Sequence, residues 1–258
     1  NIFPVLEEYR GVDIVFGGPP CQGFSVIGKM DPDDIRSQLI WSFLKAVEII
    51  QPRAFVMENV KALAAIAKWK DVREEFIVKA KEMGYGCIPF IVNAAEYGTP
   101  QKRERVFFIG IKGEEEFGDK FLELLYKQKS KAPTIRELFK DLGPAGTERN
   151  PKTCSAKITY AERPVMRKIP YDCLMFNGIG RPIDPDGYSR TITASQGGNM
   201  TLIVDEEFLH NPNANNWIQE YYEKLVSHEV TPKFAEAPER LRRLTINETR
   251  RIQTFPDD

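Results

Sequence analysis

The side chain in this sequence best placed to do chemistry is a cysteine set directly behind two prolines. Residues 12–25 read VDIVFGGPPCQGFS: an apolar run of Val12, Ile14, Val15 and Phe16 stops at Gly17-Gly18-Pro19-Pro20, and Cys21 follows at once. Such a run, bounded by Gly and Pro, predicts a central parallel strand. Reactive groups of open α/β sheets gather where these strands end, so Cys21 is expected at the lip of a sheet, behind two residues of fixed φ. Two roles are open to it: a thiolate nucleophile, or a structural cysteine buried after a strand. Glu58-Asn59 closes the next apolar run, Ala54 to Met57, and puts an acid at a second strand end, where the alternative is a solvated turn residue. Arg103 and Arg105 lead into a third run, Val106 to Ile109. The chain has only 2 histidines, His210 and His228, which disfavours a Cys-His pair of the proteolytic kind and a His-rich zinc site.

The elements that must position these residues alternate strand and helix, the pattern of βαβ units. A helix is predicted from Asp33 or Asp34 to about Ile50, burying Ile35, Leu39, Phe43, Val47 and Ile50, and stopped by Pro52. The strand Ala54–Met57 follows, then a helix over Asp71–Met83 closed by Gly84. Strands are predicted at Cys87–Asn93 and Arg105–Ile111, separated by Gly98-Thr99-Pro100. Past Lys112 the character changes, with a charged helix near Glu114–Lys129 and a short amphipathic piece over Thr134–Leu142. Residues 143–185, rich in Gly, Pro, Asn and basic side chains, read as a smaller, loop-rich domain. A helix at Trp217–Val226 lies in a segment that reads as an insertion, and Thr245-Ile246-Asn247-Glu248 forms a capping box whose helix ends before Pro256.

Composition narrows the function classes. A chain of 258 residues with 42% hydrophobic and 28% charged residues is an ordinary globular protein, with no apolar run long enough for a membrane span and no secretory leader, so a cytoplasmic location is expected. Cys21, Cys87, Cys154 and Cys173 lack CxxC or metal-ligand spacing, which fits reduced thiols and no metal. Net charge is −1, so any nucleic-acid surface must come from local clusters. Candidates are Arg103 with Arg105, the group Lys152, Lys157, Arg163, Arg167 and Lys168, and the group Arg240, Arg242 and Arg243.

Taken in order, these segments resemble the cytosine-C5 DNA methyltransferases. Gly18 to Ser25 resembles the family's Pro-Cys loop, Glu58-Asn59-Val60 its Glu-Asn-Val motif, and Gln101-Lys102-Arg103-Glu104-Arg105 its Gln-x-Arg-x-Arg motif. Arg190-Thr191-Ile192-Thr193 is similar to the motif supporting target recognition, and Arg243-Leu244-Thr245 through Gln253-Thr254-Phe255-Pro256-Asp257 to the helix that returns the chain to the catalytic domain. The resemblance implies an α/β, Rossmann-like S-adenosylmethionine-dependent methyltransferase domain, incomplete here, with a smaller loop-rich target-recognition domain. The expected division is 1–125 as part of the catalytic domain, 126–239 as the target-recognition domain with an insertion, and 240–258 as the return. It further implies Cys21 as nucleophile toward cytosine C6, Glu58 at N3 and Arg105 at O2. Asn59 is expected to brace the loop, and Arg103 to contact a phosphate or pair with Glu58 or the Cys21 loop. A target base in duplex DNA must be flipped out to be reached. The segment Gln22–Gln38 resembles the mobile loop that closes on DNA, with Ser25, Lys29 and Arg36 as phosphate contacts, joined by Thr191 and Thr193 from the smaller domain. The implied methyl donor is S-adenosylmethionine, with Pro20 and Leu39 at donor-contacting positions.

The sequence also departs from the family. Only 20 residues precede Cys21, and no Phe-x-Gly-x-Gly loop for the donor occurs there; the family's final Gly-Asn-rich motif is also missing. The chain alone is therefore expected to bind S-adenosylmethionine poorly and to methylate nothing; micromolar donor binding in a titration would contradict this. Either the sequence is a trimmed piece of a longer polypeptide, or a second polypeptide carries the donor-binding half. A tRNA cytosine-C5 methyltransferase and a non-catalytic DNA-binding homologue are the alternatives, the first disfavoured by the lack of a Cys-Phe-Thr signature.

Overall fold

A computed structural model of the chain describes residues 3–20, 38–194 and 196–257. They divide into two compact units, 1–93 with 104–129 and 94–103 with 130–258.

The first unit holds α1 (Phe3–Leu6), β1 (Ile14–Gly17), α2 (Leu39–Ile50), β2 (Ala54–Val60), α3 (Lys61–Ala65), α4 (Lys70–Glu82) and β3 (Tyr85–Asn93). After the short strand β4 (Gln101–Lys102), which belongs to the second unit, it continues with β5 (Glu104–Lys112) and α5 (Gly118–Lys127). The sheet order is β1-β2-β5-β3, with β1 parallel to β2 and β5 antiparallel to both β2 and β3. Each face of this sheet has its own core. On one, Ile40, Leu44 and Val47 of α2 and Phe76 and Ala80 of α4 pack with Phe55, Met57, Val106 and Phe108. Phe55 meets Phe76 and Tyr85 edge-on at centroid distances of 6.3 and 5.4 Å, geometries that favour aromatic pairs. On the other, Phe90 and Ile109 pack with Phe117 and the α5 residues Phe121 and Leu122. Apolar runs buried on both faces are what an α/β sheet requires.

Two expectations are corrected. Within the described sheet β1 is an edge strand rather than a central one: Ile14 is 57% and Phe16 81% exposed, while Val15 packs against the core. A continuous apolar run signals a strand but cannot say how many neighbours it has. The buried stripe of α2 is Ile40-Leu44-Val47-Ile50, while Leu39 is 38% exposed. That helix is apolar around most of its circumference, so two stripes of the same spacing compete and only packing chooses between them.

The second unit adds α6 (Ile135–Phe139), β6 (Tyr160–Val165), β7 (Leu174–Phe176), β8 (Ser189–Arg190), β9 (Ile203–Asp205), α7 (Glu206–His210), α8 (Trp217–Val226), β10 (Leu241–Arg243) and α9 (Ile246–Ile252). Its strands form small pairs: β4 parallel to β8, β6 with β7 and β9 with β10 antiparallel. One core gathers Ile135, Phe139, Val204, Leu244 and Ile252; another stacks Tyr160, Phe176, Trp217 and Tyr221. Residues 240–258, read above as a return to the catalytic domain, pack in this unit through Leu244 and Ile252. Both short helices start on complete capping boxes, Thr134 with Glu137 and Thr245 with Glu248. No helix among the described residues is long and apolar enough to cross a membrane.

Candidate active site

Cys21, Ser25, Lys29 and Arg36 lie outside the described residues, as does the rest of 21–37. The turn that leads into Cys21 is described. Parallel pairing of Phe16 with Val56 and Gly17 with Met57 carries Gly18-Pro19-Pro20 out alongside Glu58 and Asn59. A Cβ on Gly18 would sit 3.2 Å from Glu58 Oε2, tighter than ordinary van der Waals contact, so glycine lets the carboxylate lie against the turn. Asn59 is 1% exposed and spans two backbones: its Nδ2 donates to Pro19 O at 3.3 Å, and its Oδ1 accepts from Val60 N at 2.9 Å. The turn is thereby tied to β2 by a buried side chain.

Glu58 and Arg105 reach each other diagonally across β2 and β5. Val60 lies opposite Arg105 and Glu58 opposite Phe107, so both side chains leave the same face of the sheet. Arg105 Nε stands 2.9 Å from Glu58 Oε1, with the side chains 19% and 34% exposed, and Nη1 donates to Glu104 O at 2.8 Å. Lys61 pairs with Glu104 at 2.6 Å on the surface beside them. The first unit thus brings Glu58, Asn59, Arg105 and the Gly18–Pro20 turn together. The role of Gly18 as a contact surface for the acid was missed, although a Gly before Pro-Pro-Cys is a visible signal.

Arg103 and Thr193 belong to the second unit, where both line a cleft of about 950 Å³ together with Gln101, Thr245, Thr249 and Arg250. Thr191 is engaged internally, its Oγ1 donating to Lys102 O at 2.9 Å. That bond, with the β4–β8 pairing, fastens the Arg-Thr-Ile-Thr segment to Gln101-Lys102. The basic group Arg240, Arg242 and Arg243 is not a solvated cationic face. Arg240 is bidentate to buried Asp205 at 2.9 Å, and Arg242 pairs with Glu206 and, at 2.6 Å, with Glu248, which is 1% exposed. Burial works against charge on Arg242, but the carboxylates of Glu248 and Glu206 outweigh it and hold the guanidinium pKa above its ordinary value. Asn150, fully buried, completes this network by donating to Glu248 Oε1 at 3.1 Å and accepting from Thr245 Oγ1 at 2.6 Å. Nothing in the local sequence marks Asn150, 98 residues from Glu248.

Cysteines other than Cys21 are poor nucleophiles where burial holds their protons. Burial pushes the Cys87 thiol up to about 12, and raises that of Cys173 as well. No group of three or more His, Cys, Asp or Glu among the described residues is arranged to hold a metal ion. Pro20 and Leu39 are both exposed and apolar. The ribose hydroxyls and amino-acid head group of S-adenosylmethionine need hydrogen-bonding partners that neither side chain supplies, so these two side chains do not themselves compose a donor site.

A strand-borne acid paired with an arginine thus stands beside the Gly18–Pro20 turn. The profile of the C-5 cytosine-specific DNA methylases matches residues 5–258, and the chain belongs to that family. It is 37% identical over 134 residues to the type II methyltransferase M.DdeI of Desulfomicrobium norvegicum, covering 51% of this chain and 32% of that protein. Along nearly its whole length it is similar to M.BspRI of Lysinibacillus sphaericus, with 28% identity over 255 residues, 98% of this chain and 52% of the relative. The chain thus spans about half the length of this relative, or less of the other. Among solved structures, the Dnmt2 methyltransferase of S. pombe shares the fold, with a TM-score of 0.53 at 16% identity over 95% of this chain and 66% of that one.

Proposed function

We propose that the protein is a DNA cytosine-C5 methyltransferase of the restriction-modification or orphan modification kind, acting on duplex DNA in the cytoplasm. The observation that carries this reading is the Glu58 carboxylate, held by Arg105 Nε at 2.9 Å and lying against Gly18 in the turn that leads to Cys21. The target cytosine is flipped out of the duplex. The Cys21 thiolate bonds to C6, and the electron pair of the C5–C6 double bond shifts toward N3. Glu58, which takes up a proton for this step, meets that charge by donating a carboxyl hydrogen bond to N3. Arg105 donates to O2, which orients the ring and rejects bases lacking an acceptor there. Carbon 5, now enamine-like, is methylated; transfer of its proton to a base, with solvent water as the acceptor at hand, then expels Cys21 as thiolate and restores the aromatic ring.

The family implies S-adenosylmethionine as the source of the methyl group. Asn59 acts by positioning, through the Pro19 carbonyl. In the second unit, Arg103 and Thr193 serve the DNA backbone from their shared cleft, and Thr191 supports them through Lys102.

Methyl incorporation into duplex DNA and into tRNA, measured side by side with S-adenosylmethionine present, tests the reading. Transfer to duplex cytosine C5 is the expected result. Transfer to tRNA alone would move the substrate class, and incorporation into neither would leave a DNA-binding relative without catalysis.

A further inference from the structure

Arg243 differs from its two neighbours in having no counter-charge. Arg240 and Arg242 are each neutralised by two carboxylates. Arg243 is 4% exposed, and among the described residues its only hydrogen bonds run from Nη1 to the carbonyls of Thr201 at 2.7 Å and Asn199 at 3.3 Å. Its Nε and Nη2 are buried with no hydrogen-bond partner among the described residues. Burial depresses its pKa, opposed by the nearby Cys154. A buried guanidinium with open donors is costly, and such groups are ordinarily paired with an anion.

The space beside it suits one. Arg243 lines a cleft of about 460 Å³ with Lys152, Thr153, Cys154, Ser155 and Lys157, and the one carboxylate there is Glu239, which is exposed. Lys157 is neutralised by Glu236, whereas Lys152 forms no ion pair among the described residues. The wall formed by 152–157 has no helix or strand, and Thr153 Oγ1 anchors it by accepting from Ile246 N at 3.1 Å. Its other ties are long Cys154 Sγ contacts to Gly198 O at 3.7 Å and Thr201 Oγ1 at 3.9 Å and the surface pair of Lys157 with Glu236, so a wall without helix or strand can move to admit a ligand to the guanidinium.

We propose that this cleft binds a phosphate group of the nucleic-acid backbone, with Arg243 as its buried donor and Lys152 at its mouth. The phosphate chemistry follows from the cleft; its assignment to duplex DNA rests on the functional reading above. Such a contact positions the duplex without reading its sequence.

The test uses Arg243→Met and Cys154→Asp in the full protein. The aspartate places a carboxylate beside Arg243 and fills the anion's role from within, so it guards against a misfolded Arg243 variant. Duplex affinity is measured across a salt series. Loss of one phosphate contact lowers the slope of log K against log salt by about 1 and weakens specific and unrelated duplexes equally. Inorganic phosphate, compared with chloride at equal ionic strength, should raise the melting temperature of the wild type and leave that of Cys154→Asp unmoved. Unchanged slopes in both variants would overturn the duplex assignment, and absence of the phosphate effect as well would overturn the site. A wild type that neither binds nor methylates duplex DNA fails the functional reading instead, which the phosphate melting shift separates from failure of the cleft.

Discussion

The tether between Asn59 and the Pro19 carbonyl gives a prediction whose size can be worked out. Asn59→Asp keeps Oδ1 for Val60 N but replaces the Nδ2 donor, 3.3 Å from Pro19 O, with a second acceptor. The residue is 1% exposed, so water cannot take over the lost bond. Leaving a buried acceptor unsatisfied costs about 1–3 kcal/mol, and a contact of this length belongs at the lower end. Asn59→Ala loses both bonds and should cost about 2–4 kcal/mol in denaturant unfolding. The functional effect is separate. Pro19 lies two residues before Cys21, so freeing it lets the nucleophile drift, and a misplacement on the order of 1 Å costs about 100-fold in rate. Single-turnover methyl transfer should therefore slow by roughly 10- to 100-fold in Asn59→Asp, while duplex affinity stays within about twofold because no DNA contact is removed. A wild-type rate in Asn59→Asp, with the expected loss of stability, would refute the idea that this bond positions Cys21.

Glu58→Gln preserves shape but removes the acid, and should lower the single-turnover rate by about 100- to 10,000-fold with little change in DNA affinity; a loss below about tenfold would remove Glu58 from the chemistry. Gly110→Ala should destabilise the first unit by about 3 kcal/mol or more in chemical denaturation, because its Cβ would fall 2.0 Å from the Phe55 ring. Hydrogen bonds from Arg251 hold the Asp141 carboxyl down at about 2, and Asp257 is lowered by the same partner. A carboxyl depressed on folding stabilises above its unfolded value of about 4 and loses that contribution as pH falls through the folded one. Arg251→Gln should accordingly flatten the fall in melting temperature between about pH 4 and pH 2, and an unaltered acid profile would contradict this pairing.

Much of the first unit was legible because local signals and tertiary demands agree there. Apolar runs bounded by Gly and Pro gave β2, β3 and β5 to within a few residues, and helix α4 closes near Gly84 as its left-handed φ of 87° allows. Trp217–Val226 and both capping boxes were equally readable. What could not be read depends on neighbours. An apolar run does not say that β1 lies at an edge of the described sheet, and a helix apolar nearly all round does not say whether Leu39 or Ile40 turns inward. Three arginines at 240, 242 and 243 look alike in sequence, yet two are internal ion pairs and the third faces a cleft without an acid partner. That distinction is made by Asp205, Glu206 and Glu248, whose approach only the folded chain reveals. The pairing of Glu58 with Arg105 likewise depends on β2 and β5 being antiparallel neighbours in a register that separation along the chain does not fix.

The central claim is that Cys21 attacks cytosine C6. Duplex DNA carrying 5-fluorocytosine at the target, incubated with the protein and S-adenosylmethionine, tests it most directly, because fluorine at C5 blocks the final elimination. The account predicts a covalent protein–DNA species that survives a denaturing gel and is abolished by Cys21→Ala. An adduct that persists in Cys21→Ala, or methyl transfer to ordinary cytosine with no adduct on the fluorinated duplex, would contradict it.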